Sequence, residues 1–356
     1  MSSAALPRPL RRWPLMLVSA LALLGLSGTA ATSAAQDRDS DFTAYVQSLW
    51  PKAQAKGVSR ATFDSMTAGL TYNARVIALD RDNLSSGATA TTPIPSFAPY
   101  RARHVDAPRI NGGRAAKARL LPLLARIERD TGVPAQIMIA IYGHETAYGK
   151  VTGSFDLPQA LATLAFDGRR RTLFEPELIA TMQMVERGVP RSVLRGSWAG
   201  AFGYPQFLPS VYLRVARDGD GDGQARIWAS EADAIASIGN YLHQAGWRRG
   251  EPWGVAVRVP AGLNRAALAS RLRPARCPRV FARHSRWQSM GEWRRADITP
   301  ESGTWPRDNV QAVLLEPDGP GRTAYLLTGN YRAILDYNCS NFYALSVGLL
   351  ADEITR

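Results

Sequence analysis

The sequence predicts a mainly α-helical protein with a small β insert, and two observations carry that prediction. Apolar residues recur at helical spacing from Asp41 to about Tyr148, whereas short apolar runs bounded by turn residues appear only beyond residue 254. With 46% hydrophobic and 21% charged residues, the 356-residue chain has the composition of a packed globular protein, large enough for one big domain or two modest ones.

The first element is an address. Arg8, Arg11 and Arg12 precede an apolar run from Leu15 to Leu26, and small residues follow through Ala35 before the polar Gln36-Asp37-Arg38-Asp39. This is the layout of a secretory signal over 1–35, cleaved near Ala35. The run is shorter than the roughly 20 residues a membrane span needs. No Cys lies near the cleavage site, so a lipoprotein anchor is not expected and the exported protein should be soluble, periplasmic and monomeric.

The spacing of Phe42, Tyr45, Val46, Leu49 and Ala53 predicts a helix over Asp41 to Lys56, kinked at Pro51, and Ser59 is placed to cap a second. Ser85 to Ala98 reads as a loop. Ala115 to Arg129 reads as one helix, closed by Thr131-Gly132-Val133, and Pro134 opens the next in its first turn. Later, Val255 to Val259, Val310 to Leu315 and Ala324 to Leu327 read as strands.

Forty-three Lys and Arg against 30 Asp and Glu give a net charge of +13, and loss of residues 1–35 removes only three arginines. In an exported protein nucleic acid is a poor explanation for that charge; it either serves solubility or meets anionic envelope polymers. No basic amphipathic helix follows the leader to suggest a membrane-surface binder. Two cysteines and four histidines, without a Cys-x-x-Cys, exclude zinc ribbons and iron–sulfur centres and leave chemistry to carboxylates, hydroxyls and amides. Cys277 and Cys339 could pair in an oxidising compartment, a link of about 3–4 kcal/mol on chain entropy.

The helix from Pro134 to about Tyr148 is apolar almost all round, as buried helices are. Glu145 stands at its C-terminal end, with Gly149 as the expected C-cap. Burial and the negative end of the helix dipole both raise a carboxyl pKa, which suits a general acid; an ion-paired structural strut is the alternative. The segment Gly196 to Ser210 combines small residues with Ser197, Gln206 and aromatics, a set suited to sugars. Asp218-Gly219-Asp220-Gly221-Asp222-Gly223 matches the first half of a calcium loop, with Gln224 in the next ligand position and Ala229 where the usual Glu would stand.

Taken in order, these blocks resemble the lytic murein transglycosylase B family. Ile141-Tyr142-Gly143-His144-Glu145-Thr146 is similar to its Gly-x-Glu segment, Leu161 to Phe166 to its Thr-Leu-Ala-Phe block, and Arg170-Arg171 to its paired arginines. Ser197 to Ser210, Ala234 to Tyr241, Gly246-Trp247 and Tyr337 to Ala344 follow. Cys339, Phe202 and Val211 depart from the common pattern. The resemblance implies a lysozyme-like core with a helical domain over 36–253, a β-rich insert at about 254–330, and a return to the core at 331–356.

It further implies that Glu145 is the single acid/base, without a catalytic cofactor, for cleavage of the bond between N-acetylmuramic acid and N-acetylglucosamine, leaving 1,6-anhydromuramic ends. Ser197 and Gln206 would hold substrate near the cleavage point. Tyr100, Tyr241, Tyr337, Asn338 and Tyr343 would line the groove, and Arg170 and Arg171 would meet stem-peptide carboxylates. A structural calcium ion held by Asp218, Asp220, Asp222, Gln224 and either Asp233 or Glu231 is expected, with a plain acidic turn as the alternative. A hydrolytic muramidase would differ in its products, and a non-catalytic peptidoglycan-binding module would not need an intact Glu145.

Overall fold

A computed structural model of the chain describes residues 27–85, 94–272, 274–303 and 305–356. Residues 1–26 of the leader expected over 1–35 lie outside these residues, as do 86–93 of the loop expected over Ser85 to Ala98, which is helical at Ser85 and again from Phe97.

The first helices are α1 (Ser27–Ser48), α2 (Trp50–Ala55), α3 (Arg60–Thr67) and α4 (Ala74–Ser85). The break expected at Pro51 falls between α1 and α2, with the proline in the first turn of α2. Ser59 caps α3, accepting the Thr62 amide at 3.2 Å. Next come α5 (Phe97–His104), α6 (Ala107–Arg119), α7 (Leu121–Thr131) and α8 (Ala135–Thr146). The single helix expected over Ala115 to Arg129 is therefore two, α6 and α7. Pro122 in the first turn of α7 has no amide to continue the α6 ladder, so the chain turns at Leu120. Pro134 sits one residue outside α8, in extended conformation.

After the short strand β1 (Phe155–Asp156) come α9 (Leu157–Asp167) and α10 (Arg171–Glu186). The partner strand β2 (Arg195–Gly196), α11 (Pro209–Val215) and α12 (Glu231–Gln244) follow. Helix α8 runs through the middle of this assembly, packed on α6, α7, α12 and the final helix, so every residue from Ile137 to Tyr142 is buried.

The three predicted strands form as β3 (Gly254–Arg258), β6 (Gln311–Leu315) and β7 (Ala324–Leu327); the two-residue strands β4 (Gln288–Ser289) and β5 (Thr299–Pro300) complete an antiparallel sheet ordered β4-β6-β7-β3-β5. Alternation decides which core each side chain joins. Val313, Leu315, Tyr325 and Leu327 enter the main core, while Ala312, Leu314, Ala324 and Leu326 face a second core with Leu268, Met290, Trp293 and Ile298. A sheet buried on both faces explains why these strands read as continuous apolar runs. Helices α13 (Pro278–Phe281) and α14 (Met290–Arg295) belong to this region, and α15 (Gly329–Tyr337) and α16 (Asn341–Thr355) return the chain to α8. A disulfide joins Cys277, beside α13, to Cys339, between α15 and α16, with Cα atoms 6.0 Å apart.

Candidate active site

Glu145 occupies the last turn of α8. The helix ends at Thr146, and the C-cap is Ala147 in left-handed conformation, not Gly149 as expected; Tyr148 and Gly149 also have positive φ. The reason lies in Thr146, whose hydroxyl donates to the Tyr204 carbonyl at 3.1 Å and accepts the Gly149 amide at 3.0 Å. The turn is thus closed by a side chain three residues before the first glycine. Two non-glycine residues, Ala147 and Tyr148, held at positive φ just beyond Thr146 are a local cost of the kind that collects at functional sites.

Glu145 keeps part of its surface accessible, yet burial pushes its carboxyl up to about 7. The Tyr343 hydroxyl, on α16, donates to Glu145 Oε1 at 2.6 Å and pulls the other way, because a donor favours the carboxylate. No second carboxylate shifts it among the described residues. Tyr100, Tyr337 and Tyr343, from α5, α15 and α16, all surround this group: burial raises their phenols, and the Glu145 charge raises them further.

The remaining expected groove residues continue outward. The Tyr337 hydroxyl donates to the Pro205 carbonyl at 2.6 Å, next to Gln206, and its ring meets that of Tyr241 with centroids 4.8 Å apart. Tyr241 donates to the Asp336 carbonyl at 2.8 Å. Gln206, itself at positive φ, donates through Nε2 to the carbonyls of Gly203 at 2.9 Å and Thr152 at 3.2 Å. Ser197 Oγ accepts the Ala201 amide at 3.0 Å. Gly153 lies directly on the Gly196–Ser197 backbone, so the loop leaving α8 touches both Ser197 and Gln206. Asn338 is the C-cap of α15 and exposed.

Arg170 and Arg171 stand apart from this set. Arg170, with Arg169, pairs with the buried Asp80 and lies over the Phe174 ring. Arg171 donates to the carbonyls of Ala165 at 3.1 Å and Phe166 at 3.2 Å and lies over Tyr45. None of these contacts involves Glu145 or the tyrosines around it. Sequence reasoning had no signal for Asp80 as a partner, since it precedes the arginines by about 90 residues.

Asp218, Asp220 and Asp222 each offer an oxygen within 4.8 Å of the others. Asp218 also shapes the loop, accepting the amides of Gly221 at 2.6 Å and Gly223 at 2.7 Å, and Gln224 donates its amide to Asp222 at 2.9 Å. Asp233 is buried and accepts the amides of Gly219 at 2.7 Å and Arg226 at 2.6 Å, tying α12 to both ends of the loop. Glu231 turns away, bonded to Arg119 at 2.6 Å and to the Tyr142 hydroxyl at 2.9 Å. An exposed all-oxygen trio suits a hard cation, with the Gln224 carbonyl and Asp233 as the groups available to extend it.

The family model for the transglycosylase SLT domain matches residues 41–352. The chain is 33% identical over 260 residues to membrane-bound lytic murein transglycosylase B of Escherichia coli K12, an alignment of 72% of this chain and 66% of that protein's length. SltB3 of Pseudomonas aeruginosa in complex with NAG-NAM-pentapeptide superposes with a TM-score of 0.78 at 35% identity, covering 88% of this chain and 79% of that one. The same protein in complex with NAG-anhNAM-pentapeptide gives a TM-score of 0.77 at 36% identity, with the same 88% and 79% coverage. Escherichia coli Slt35 in complex with calcium gives 0.69 at 27% identity, covering 89% of this chain and 93% of that one. With a family match running from residue 41 to residue 352, the chain belongs to the transglycosylase SLT domain family.

Proposed function

We propose that the protein is a peptidoglycan lytic transglycosylase that cleaves the β-1,4 bond between N-acetylmuramic acid and N-acetylglucosamine, with Glu145 as its only acid/base. The observation that carries this reading is the Glu145 carboxyl itself, held up to about 7 and bonded to Tyr343, so that acid and base forms are both populated near neutral pH. The protonated form donates to the glycosidic oxygen as its bond to C1 breaks. The carboxylate then takes the proton from the sugar's C6 hydroxyl as that oxygen bonds to C1, which closes the anhydro ring and restores the acid. Glycosidases that use water or a covalent intermediate pair two carboxyls about 5–9.5 Å apart, and a lone carboxyl favours the intramolecular route.

Ser197 and Gln206 position the sugars, and Tyr100, Tyr241, Tyr337, Asn338 and Tyr343 line the groove. Arg170 and Arg171, committed to Asp80 and to carbonyls, reach stem-peptide carboxylates only by exchanging those partners. The enzyme works outside the cytoplasm after loss of 1–35, on glycan strands and stem peptides; no helix among the described residues is long and apolar enough to cross a membrane. Calcium sits at Asp218, Asp220 and Asp222, with Gln224 and Asp233 completing the set, and stiffens the loop between α11 and α12. Residues 254–330 form an insert in the core.

Mass spectrometry of muropeptides released from purified peptidoglycan tests the reading. Products lighter than hydrolytic ones by the mass of one water, absent with Glu145→Gln, are expected. Reducing ends would assign a muramidase instead, and sacculus binding without release would leave a binding module.

A further inference from the structure

One half-buried titratable side chain beside the acid has no role in the reaction as written. His144 precedes Glu145 on α8, and consecutive helical side chains point about 100° apart, so its ring turns from the groove into the packing between α5, α6 and α16. There its Nε2 is buried with no hydrogen-bond partner. The ring stands edge to face with Tyr343, centroids 5.4 Å apart and planes at 61°. On its other side it lies parallel to His104 at 5.5 Å, and His104 is stacked at 3.9 Å on Tyr100. The charged and titratable groups facing it are His104 and Arg109, Asp106 at the start of α6, and Tyr343, with the Ser346 backbone alongside. Burial, first, and the neighbouring His104 and Arg109 hold its pKa down to about 3, so it is a neutral ring at any working pH.

Tyr343 therefore spans two consecutive residues of α8, giving its ring to His144 and its hydroxyl to Glu145. A phenol can swing about its side-chain torsions, and a 2.6 Å bond to one carboxylate oxygen requires that swing to be stopped. We infer that His144 is a positioning residue for Glu145, acting through Tyr343: its ring edge fixes the phenol whose hydroxyl holds the acid, and the stack through His104 to Tyr100 braces that edge against α5. The contact with Tyr343 is made by the ring: Nε2 has no partner to lose, and the hydrogen bond to the Ser346 backbone leaves Tyr343 untouched. The inference rests on the proposed role of Glu145.

A double-mutant cycle of His144→Ala and Tyr343→Phe, with His144→Phe as the conservative variant, tests it in the full-length protein. Two readouts are needed: titration of the Glu145 carboxyl by 13C NMR without substrate, assigned with Glu145→Gln, and the rate of muropeptide release. Tyr343→Phe is expected to raise the Glu145 midpoint by about one pH unit. His144→Ala should raise it by roughly half as much and slow release about tenfold, yet do neither in the Tyr343→Phe background. His144→Phe should leave both near wild type. Equal effects of His144→Ala in both backgrounds, or no movement of the midpoint, would overturn the inference. If the alanine variant does not fold, His144→Leu, which fills the space without a ring edge, takes its place in the cycle. A wild type that titrates as described but releases nothing would remove the proposed function while leaving the coupling of His144 to Glu145 intact.

Discussion

Tyr343 and Glu145 stand 198 residues apart in the chain and 2.6 Å apart in the fold, and their bond works against the burial that surrounds it. Water excluded from the carboxyl favours the neutral acid, whereas the phenol proton favours the anion. The balance, at about 7, leaves an acid strong enough to protonate a leaving oxygen and a base able to receive a proton in the next step.

The rate of muropeptide release should accordingly be level below about pH 7 and fall about tenfold per unit above it, as the acid form is lost. A pH–rate profile on purified peptidoglycan measures this. A basic limb below pH 6 would show that Glu145 is not the group donating the proton.

The same shift makes the acid a burden on the fold. Glu145 binds its proton more tightly folded, at about 7, than in the unfolded chain, where the ordinary value is 4.5. Between those values the folded state holds more protons, so stability falls as pH rises through the window and stays lower above it. Glu145→Gln carries no such slope. Unfolding midpoints in denaturant should match for the two proteins at pH 4.5 and separate by pH 8, with the variant more stable by on the order of 2–3 kcal/mol. Equal midpoints at both pH values would refute the raised pKa.

The positions of Glu145 and the late strands are legible because each has a local signature: an apolar helix ending in a carboxylate, and short β runs between turn residues. What the sequence hides is contact between distant segments. Nothing local announces that Tyr343 reaches Glu145, that Asp80 neutralises Arg169 and Arg170, or that Glu231 belongs to Tyr142 and Arg119. The α6–α7 break and the Ala147 cap are misread for a different reason. A leucine-rich period masks a proline, and a threonine hydroxyl closes a turn before the glycine that would ordinarily do so.

Calcium should raise the unfolding temperature in comparison with chelator, by a few degrees at about 100 times its dissociation constant. Asp220→Asn with Asp222→Asn should abolish the rise while leaving Asp218 to hold the amides of Gly221 and Gly223. Differential scanning calorimetry decides, and identical traces with calcium and chelator would dismiss the site. The release rate at 25 °C should not change, since the loop has no contact with Glu145.

Gly153 makes the sharpest demand for a glycine, because it combines a φ of +86° with a backbone against its face. A Cβ there would stand 2.6 Å from the Ser197 amide nitrogen, and the Gly196 carbonyl is closer still. Gly188 has the same conformational need, at φ +90°, with open space around it. Substituting alanine at each separates the two effects. Gly188→Ala should cost about 1–2 kcal/mol, the left-handed conformation alone. Gly153→Ala should cost about 3 kcal/mol or more, because the loop must also lift from Ser197. Lifting it carries Thr152 away from Gln206 Nε2, so release should fall well beyond tenfold. The Glu145 titration, set by Tyr343 and burial, should stay where it is. Equal stability losses for the two variants, measured by denaturant unfolding, would mean that the close approach of the two loops is not what reserves this position for glycine.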